Sequence, residues 1–214
     1  MSIKAVIFDL DGTLLDTLED LTDSMNYALS AYGCKNISLE QARSFVGSGA
    51  ERFLELSIPM GKDTPNFDKC LETFKDYYSK HMENKTKPYI GILELLESLK
   101  QKGFKIAIVS NKFDAAVKAI SPKYFHNLID VAIGESDQIQ KKPAPDSVFM
   151  ALEMLGCTKS EACYVGDSDV DAKTAQNAGI VFIGVSWGFR DKDLLYSLGA
   201  KTVIDHPSQL LDII

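Results

Sequence analysis

From Pro88 onward the chain alternates between short apolar runs and segments of helical spacing, and this alternation limits the possible folds more than any other feature. Lys105-Ile106-Ala107-Ile108-Val109, Ile129-Asp130-Val131-Ala132-Ile133, Ala162-Cys163-Tyr164-Val165 and Val181-Phe182-Ile183-Gly184-Val185 read as buried strands. Between them lie helices: one carrying Ile92, Leu95, Leu96 and Leu99 up to Gly103, one from Asp114, one carrying Val148, Phe149, Leu152 and Leu155 up to Gly156, and one from Asp171 to Ala178. Thr202-Val203-Ile204 reads as an edge strand and Ser208 to Ile213 as a last helix. Strands separated by helices pair in parallel, because the crossover needs a helix's length, and a parallel sheet is covered on both faces.

Ala5-Val6-Ile7-Phe8 adds a strand at the start of the chain. The expected fold is therefore α/β, a Rossmann-like parallel sheet of five or more strands with helices on both faces. The stretch after the first strand breaks the pattern. Leu18, Leu21, Met25, Ala28, Leu29 and Tyr32 repeat at helix spacing before Gly33, and Ser38-x-x-Gln41 is a capping box. Phe45-Val46-Gly47-Ser48-Gly49 is a flexible turn, and Phe67, Cys70, Leu71, Phe74, Tyr77, Tyr78 and Met82 mark a strong amphipathic helix. No strand is expected there. The organisation read from this is a core of residues 1–15 and 88–214 with a helical unit, 16–87, inserted after the first strand.

The formal net charge of −7 counts against nucleic acid or an anionic membrane as partner, since both recruit basic surface. No apolar run reaches the roughly 20 residues of a membrane-spanning helix. The four cysteines, Cys34, Cys70, Cys157 and Cys163, form no C-x-x-C pair, and no leader-like segment precedes them. They are expected to be free thiols in a cytoplasmic protein. The three histidines share no ligand-like spacing, so zinc is not expected.

Four strand ends carry polar groups: Asp9 and Asp11; Ser110, Asn111 and Lys112; Lys141 and Lys142 ahead of Pro143; and Gly166-Asp167-Ser168-Asp169-Val170-Asp171. In a parallel sheet these ends share one edge, where open α/β sheets bind ligands. Two acids one residue apart repel unless a cation or a shared proton compensates, which suggests a hard metal ion and a nucleophilic carboxylate. Each group has a plainer reading. Ser110-Asn111 can start a turn, Lys142 can be a solvated loop charge, and the acids after Gly166 can cap a helix; for Asp169 the capping role is the expectation.

These stretches resemble the haloacid dehalogenase superfamily, and within it phosphoglycolate phosphatase-like enzymes. The likeness rests on Asp9-Leu10-Asp11-Gly12-Thr13-Leu14-Leu15-Asp16, Val109-Ser110-Asn111, Lys142-Pro143-Ala144-Pro145-Asp146 and Gly166-Asp167-Ser168-Asp169-Val170-Asp171, in that order. Val46-Gly47-Ser48-Gly49-Ala50-Glu51-Arg52, Ser110-Asn111-Lys112 and Gly184-Val185-Ser186-Trp187-Gly188 support it. Ile90, where relatives usually have Pro, and Lys141, where Gly is common, depart from the pattern.

The resemblance implies a phosphatase that hydrolyses a small phosphorylated metabolite, with segment 16–87 as a cap. Asp9 is implied as the nucleophile that forms an aspartyl-phosphate. Asp11 is implied as general acid and then base, with Ser110 and Lys142 on the phosphoryl oxygens. Mg²⁺ is the implied cofactor, held by the Asp9 carboxylate, the Asp11 backbone carbonyl and Asp167, with Asp171 supporting it or orienting Lys142. Gly12, Thr13, Asn111 and Gly49 are implied substrate contacts, together with Arg52, which could meet a substrate carboxylate; Arg43 is a weaker choice. A monomer or a homodimer fits equally. A hexose-phosphate mutase, a pyrophosphatase and a non-catalytic phosphate-binding module remain open alternatives. A haloacid dehalogenase proper does not, because that branch lacks the acid at the Asp11 position.

Overall fold

Strand β1 (Ala5–Phe8) lies near the middle of a six-stranded parallel sheet, and its four residues are buried because both of its faces are covered. A computed structural model describes residues 2–214. Beside β1 run β4 (Lys105–Phe113) and then β5 (Val131–Glu135) on one side. On the other run β6 (Ala162–Gly166), β7 (Val181–Val185) and β8 (Thr202–Ile204), giving the order β5-β4-β1-β6-β7-β8. All five pairings are parallel, as the alternation predicts.

Side-chain alternation along β1 divides the core in two. Val6 and Phe8 face helices α5 (Ile92–Gln101) and α6 (Asp114–Phe125), meeting Leu96, Leu99, Val117 and Ile120. Ala5 and Ile7 face α7 (Asp146–Leu155) and α8 (Asp169–Ala178), meeting Val148, Leu152, Ala175 and Ala178. Gly156 and Gly179 end those two helices in the left-handed conformation that glycine adopts without steric cost.

The inserted stretch folds as α1 (Leu18–Ala31), α2 (Leu39–Phe45), α3 (Ala50–Ser57) and α4 (Phe67–His81) around a core of its own, with Met25, Leu29, Phe53, Leu54, Phe74 and Tyr78 inside. The Ser38–Gln41 capping box is formed. Asp20 secures the return of the chain: its buried carboxylate accepts from the Lys85 and Thr86 amides and the Thr86 hydroxyl.

Several details differ from the sequence expectations. Strands β2 (Leu15–Asp16) and β3 (Lys87–Pro88) pair antiparallel at the seam of the insertion, where no strand is expected; two residues are too few to show a period. The strand expected from Ile129 begins at Val131 instead. Asp130 uses its side chain where a ladder carbonyl would serve, accepting from the Ile106 amide at 2.8 Å. Strand β4 runs on to Phe113, with its pairing shifted after Val109. Helices α3 and α9 (Lys192–Ser197) are too short for periodicity to reveal. The last helix is a 3₁₀ segment, Pro207–Asp212, rather than an α-helix. Among the described residues no helix is long and apolar enough to cross a membrane.

Candidate active site

The carboxyl ends of β1, β4 and β6 and the loop after β5 meet on one edge of the sheet, with the insertion above them. At the end of β1 the chain turns back so tightly that the amides of Thr13, Leu14 and Leu15 all point to the Leu10 carbonyl. Gly12 makes the turn possible at a φ of +93°, and a Cβ there would sit 2.5 Å from Asp167 Oδ2. This turn leaves Asp9 buried and Asp11 at the rim.

Asp9, Asp167 and Asp171 form a buried cluster in which one oxygen from each lies within 4.8 Å of the others. Lys142 reaches into it, donating to Asp9 Oδ1 at 2.7 Å, Asp171 Oδ1 at 2.8 Å and the Tyr164 hydroxyl at 3.0 Å. Asp171 is fixed on its other oxygen by the Ser168 hydroxyl at 2.6 Å, within the capping box that starts α8. Asp167 accepts from the Phe189 amide at 2.6 Å and the Thr13 hydroxyl at 3.1 Å.

Burial pushes the Asp9 carboxyl well above the usual carboxylate range, and the charges of Asp171 and Asp167 add to this against the pull of Lys142. Asp167 is pushed up to about 7, by burial first and by Asp171 second. Burial opposes a charged Lys142, but Asp171 and Asp9 outweigh it and raise its pKa well above the ordinary lysine value. Three carboxylates facing one ammonium leave two negative charges. An all-oxygen donor set with that imbalance fits a hard divalent cation.

A second buried cation stands beside Asp11. Lys112, with a side chain only 3% exposed, donates to Asp11 Oδ1 at 2.9 Å and to the hydroxyl of Tyr78 on α4. Burial disfavours its charge as well, but Asp11 and Tyr78 outweigh that effect and raise the pKa. Beside Asp9 lies a cavity lined by Asp9, Asp11, Ser110, Asn111 and Lys112, and by Leu21, Val46, Gly49, Phe53 and Phe113 from the apolar side.

Most of the expected site residues meet here: Asp9, Asp11, Ser110, Asn111, Gly49, Lys142, Asp167 and Asp171, around the Gly12 turn. Asn111 also binds the edge together, donating to the carbonyls of Gly47 and Lys142 and accepting from the Lys142 amide at 2.8 Å. Asp171 lies within the acid cluster and bonds Lys142, in keeping with the supporting or orienting place expected for it.

Two expected substrate contacts lie elsewhere. The Thr13 side chain is fully buried and turned onto Asp167, away from the cavity. Arg52 sits on the outer face of α3, half exposed, and pairs with Glu55 at 2.7 Å. Arg43 does not reach the cavity either. It holds the carbonyls of Gly188 and Phe189, while Arg190 reaches back to the carbonyls of Arg43, Ser44 and Val46. The two arginines thus tie α2 to the loop whose Phe189 amide binds Asp167. The roles of Lys112, Tyr78, Tyr164 and Arg190 at this edge emerge only from the fold. Lysine next to an apolar strand was the available signal for Lys112, since a buried ammonium must find an acceptor.

The chain has clear relatives. The profile of the haloacid dehalogenase-like hydrolases matches residues 6–185. A phosphoglycolate phosphatase from Mesorhizobium japonicum is 32% identical over 196 residues, covering 90% of this chain and 86% of that protein. An N-acetylmuramic acid 6-phosphate phosphatase from Pseudomonas aeruginosa is 28% identical over 216 residues, covering 100% of this chain and 96% of its own length. Among solved structures, one described as a candidate phosphoglycolate phosphatase from Lactobacillus delbrueckii subsp. bulgaricus superposes with a TM-score of 0.93 at 37% identity, covering 98% of this chain and 97% of that one. With the profile spanning most of its length, the chain belongs to the haloacid dehalogenase-like hydrolases.

Proposed function

We propose that the protein is a Mg²⁺-dependent phosphatase that hydrolyses a small phosphomonoester through a phosphoaspartate on Asp9. The observation that carries this reading is the buried trio Asp9, Asp167 and Asp171 with Lys142 beside it, and a cavity that Asp9 lines together with Asp11. Asp9 and Asp167, with the backbone carbonyl of Asp11, would hold the ion, and Asp171 would support it. When bound, the ion neutralises the cluster and draws charge from a phosphoryl oxygen.

Asp9 is the nucleophile. One of its oxygens bonds the phosphorus as the ester P–O bond breaks, and Asp11 gives its proton to the departing oxygen. Lys142 and the Ser110 hydroxyl hold phosphoryl oxygens as charge spreads over them. Asp11 then takes a proton from water, which attacks the phosphorus and releases Asp9 and inorganic phosphate. Segment 16–87 acts as a cap over the core of 1–15 and 88–214, keeping bulk water from the phosphoryl group.

The apolar wall of Leu21, Val46, Phe53 and Phe113 supports a compact leaving group. The two relatives above carry names for substrates as unlike as phosphoglycolate and N-acetylmuramic acid 6-phosphate, so a panel of phosphate esters decides the substrate. Asp9→Asn is expected to abolish turnover of p-nitrophenyl phosphate while circular dichroism stays native. EDTA is expected to stop the wild type, and magnesium to restore it. Normal turnover by the variant rejects Asp9 as nucleophile, and an unchanged rate in chelator rejects the ion.

A further inference from the structure

We infer that Lys112 is a positioning residue for Asp11, and that Tyr78 of the inserted helical unit holds Lys112 in place. The inference rests on the reading of Asp11 as the acid that protonates the leaving group. Asp167 has the Phe189 amide and Thr13, Asp171 has Lys142, Tyr164 and Ser168, and the buried Asp9 has Lys142. Among the described residues, Lys112 is the one side chain that bonds the Asp11 carboxylate, at 2.9 Å. An acid at the rim with a single anchor takes its orientation from that anchor.

The anchor is itself clamped. A lysine ammonium on a four-carbon stem is mobile unless its donors are engaged. Here the stem is buried, the ammonium donates to the Tyr78 hydroxyl, and it also lies 4.5 Å from the centre of the Tyr78 ring. Tyr78 is 1% exposed, stacks on Phe74 at 5.7 Å and meets Phe113 edge-on at 6.2 Å, so its hydroxyl has little freedom. Burial holds that phenol neutral, which leaves its oxygen free to accept from the ammonium. The chain of contacts runs from α4 through Tyr78 and Lys112 to Asp11. The insertion thereby helps to aim the acid as well as to cover the site.

A Lys112–Tyr78 contact that merely fastened the insertion to the sheet would slow all esters alike. A positioning role slows those that need a proton on the leaving oxygen. The test compares phenyl phosphate with p-nitrophenyl phosphate, whose more acidic phenol leaves with less proton help. Neither ester bears a charged substituent on its ring that Lys112 could bind directly. The readout is the ratio of kcat/KM on the two esters in magnesium, because kcat/KM ends at expulsion of the phenol and excludes breakdown of the phosphoenzyme.

General acids contribute on the order of 10²–10⁴, so Asp11→Asn is expected to lower the phenyl to p-nitrophenyl ratio by about tenfold. Lys112→Met should lower it in the same direction by about fivefold, and Tyr78→Phe by about twofold. A shifted ratio in Asp11→Asn with a wild-type ratio in Lys112→Met overturns the Lys112 inference and leaves Asp11 as the acid. A wild-type ratio in Asp11→Asn overturns the reading of Asp11, and the inference with it. A wild-type ratio in Tyr78→Phe overturns the clamp. If Lys112→Met does not fold, the Tyr78→Phe ratio decides, since that change removes one oxygen and keeps the packed ring.

Discussion

Removing the proposed ion should make the stability of this fold depend on pH in a defined window. In the metal-free cluster Asp167 is pushed up to about 7 from an ordinary 3.8, by burial and then by Asp171. An acid that is more protonated in the fold than in the unfolded chain favours the fold at low pH. That advantage disappears as pH climbs from about 4 to about 7. The gap between 3.8 and about 7, at about 1.4 kcal/mol per pH unit, makes the loss about 4 kcal/mol for this one group. Asp9 is displaced in the same direction and adds to it. A divalent ion on the cluster holds the carboxylates ionised at no such cost, so its stabilising effect must grow as pH rises. Urea denaturation followed by Trp187 fluorescence, at pH 5, 6, 7 and 8, in EDTA and in excess magnesium, measures this directly. The two series should nearly coincide at pH 5 and separate by several kcal/mol at pH 8. Asp167→Asn should flatten the EDTA series. Taking the difference between the two series cancels the titration of every group far from the cluster. Equal separation at pH 5 and pH 8, or coincidence at pH 8, would refute the reasoning.

Two further variants probe the geometry. Gly12→Ala must place a Cβ 2.5 Å from Asp167 Oδ2 at a φ of +93°, so the turn or the carboxylate has to move. Steady-state kinetics should show activity lower by about 10², the usual result of misplacing a reacting group by an ångström, and urea melts a loss of about 1–3 kcal/mol. Arg52→Ala removes an exposed pair with Glu55, so stability should change by no more than about 0.5 kcal/mol. Its KM for carboxylated and uncarboxylated esters should move equally; a selective rise for the carboxylated ester would return Arg52 to the site.

How much of this was legible in the sequence depends on the range over which each feature is decided. The parallel sheet was readable because its cause is local: β-branched runs such as Ile106–Val109, bounded by helices and closed by glycines, permit few other arrangements. The convergence of Asp9, Ser110, Lys142 and Asp167 followed from topology, since parallel strands deliver their carboxyl ends to one edge wherever they stand in the chain. What topology does not supply is direction. Thr13 follows Gly12 and was read as a phosphate contact, yet the turn that Gly12 allows rotates its hydroxyl onto Asp167. Arg52 follows a glycine loop at the cavity, but one helical step carries it to the outer face of α3, where Glu55 three residues on provides a nearer carboxylate. Lys112 is legible as a polar group at a strand end, but its role is not, because its partners lie 101 and 34 residues away on separate elements. A buried charge cannot stay unpaired, so a lysine at the end of an apolar strand should be read as a demand for acceptors. At this sheet edge the two buried lysines divide that demand. Lys142 sits with three acids whose excess charge fits the proposed divalent ion, and Lys112 with the acid proposed to move a proton.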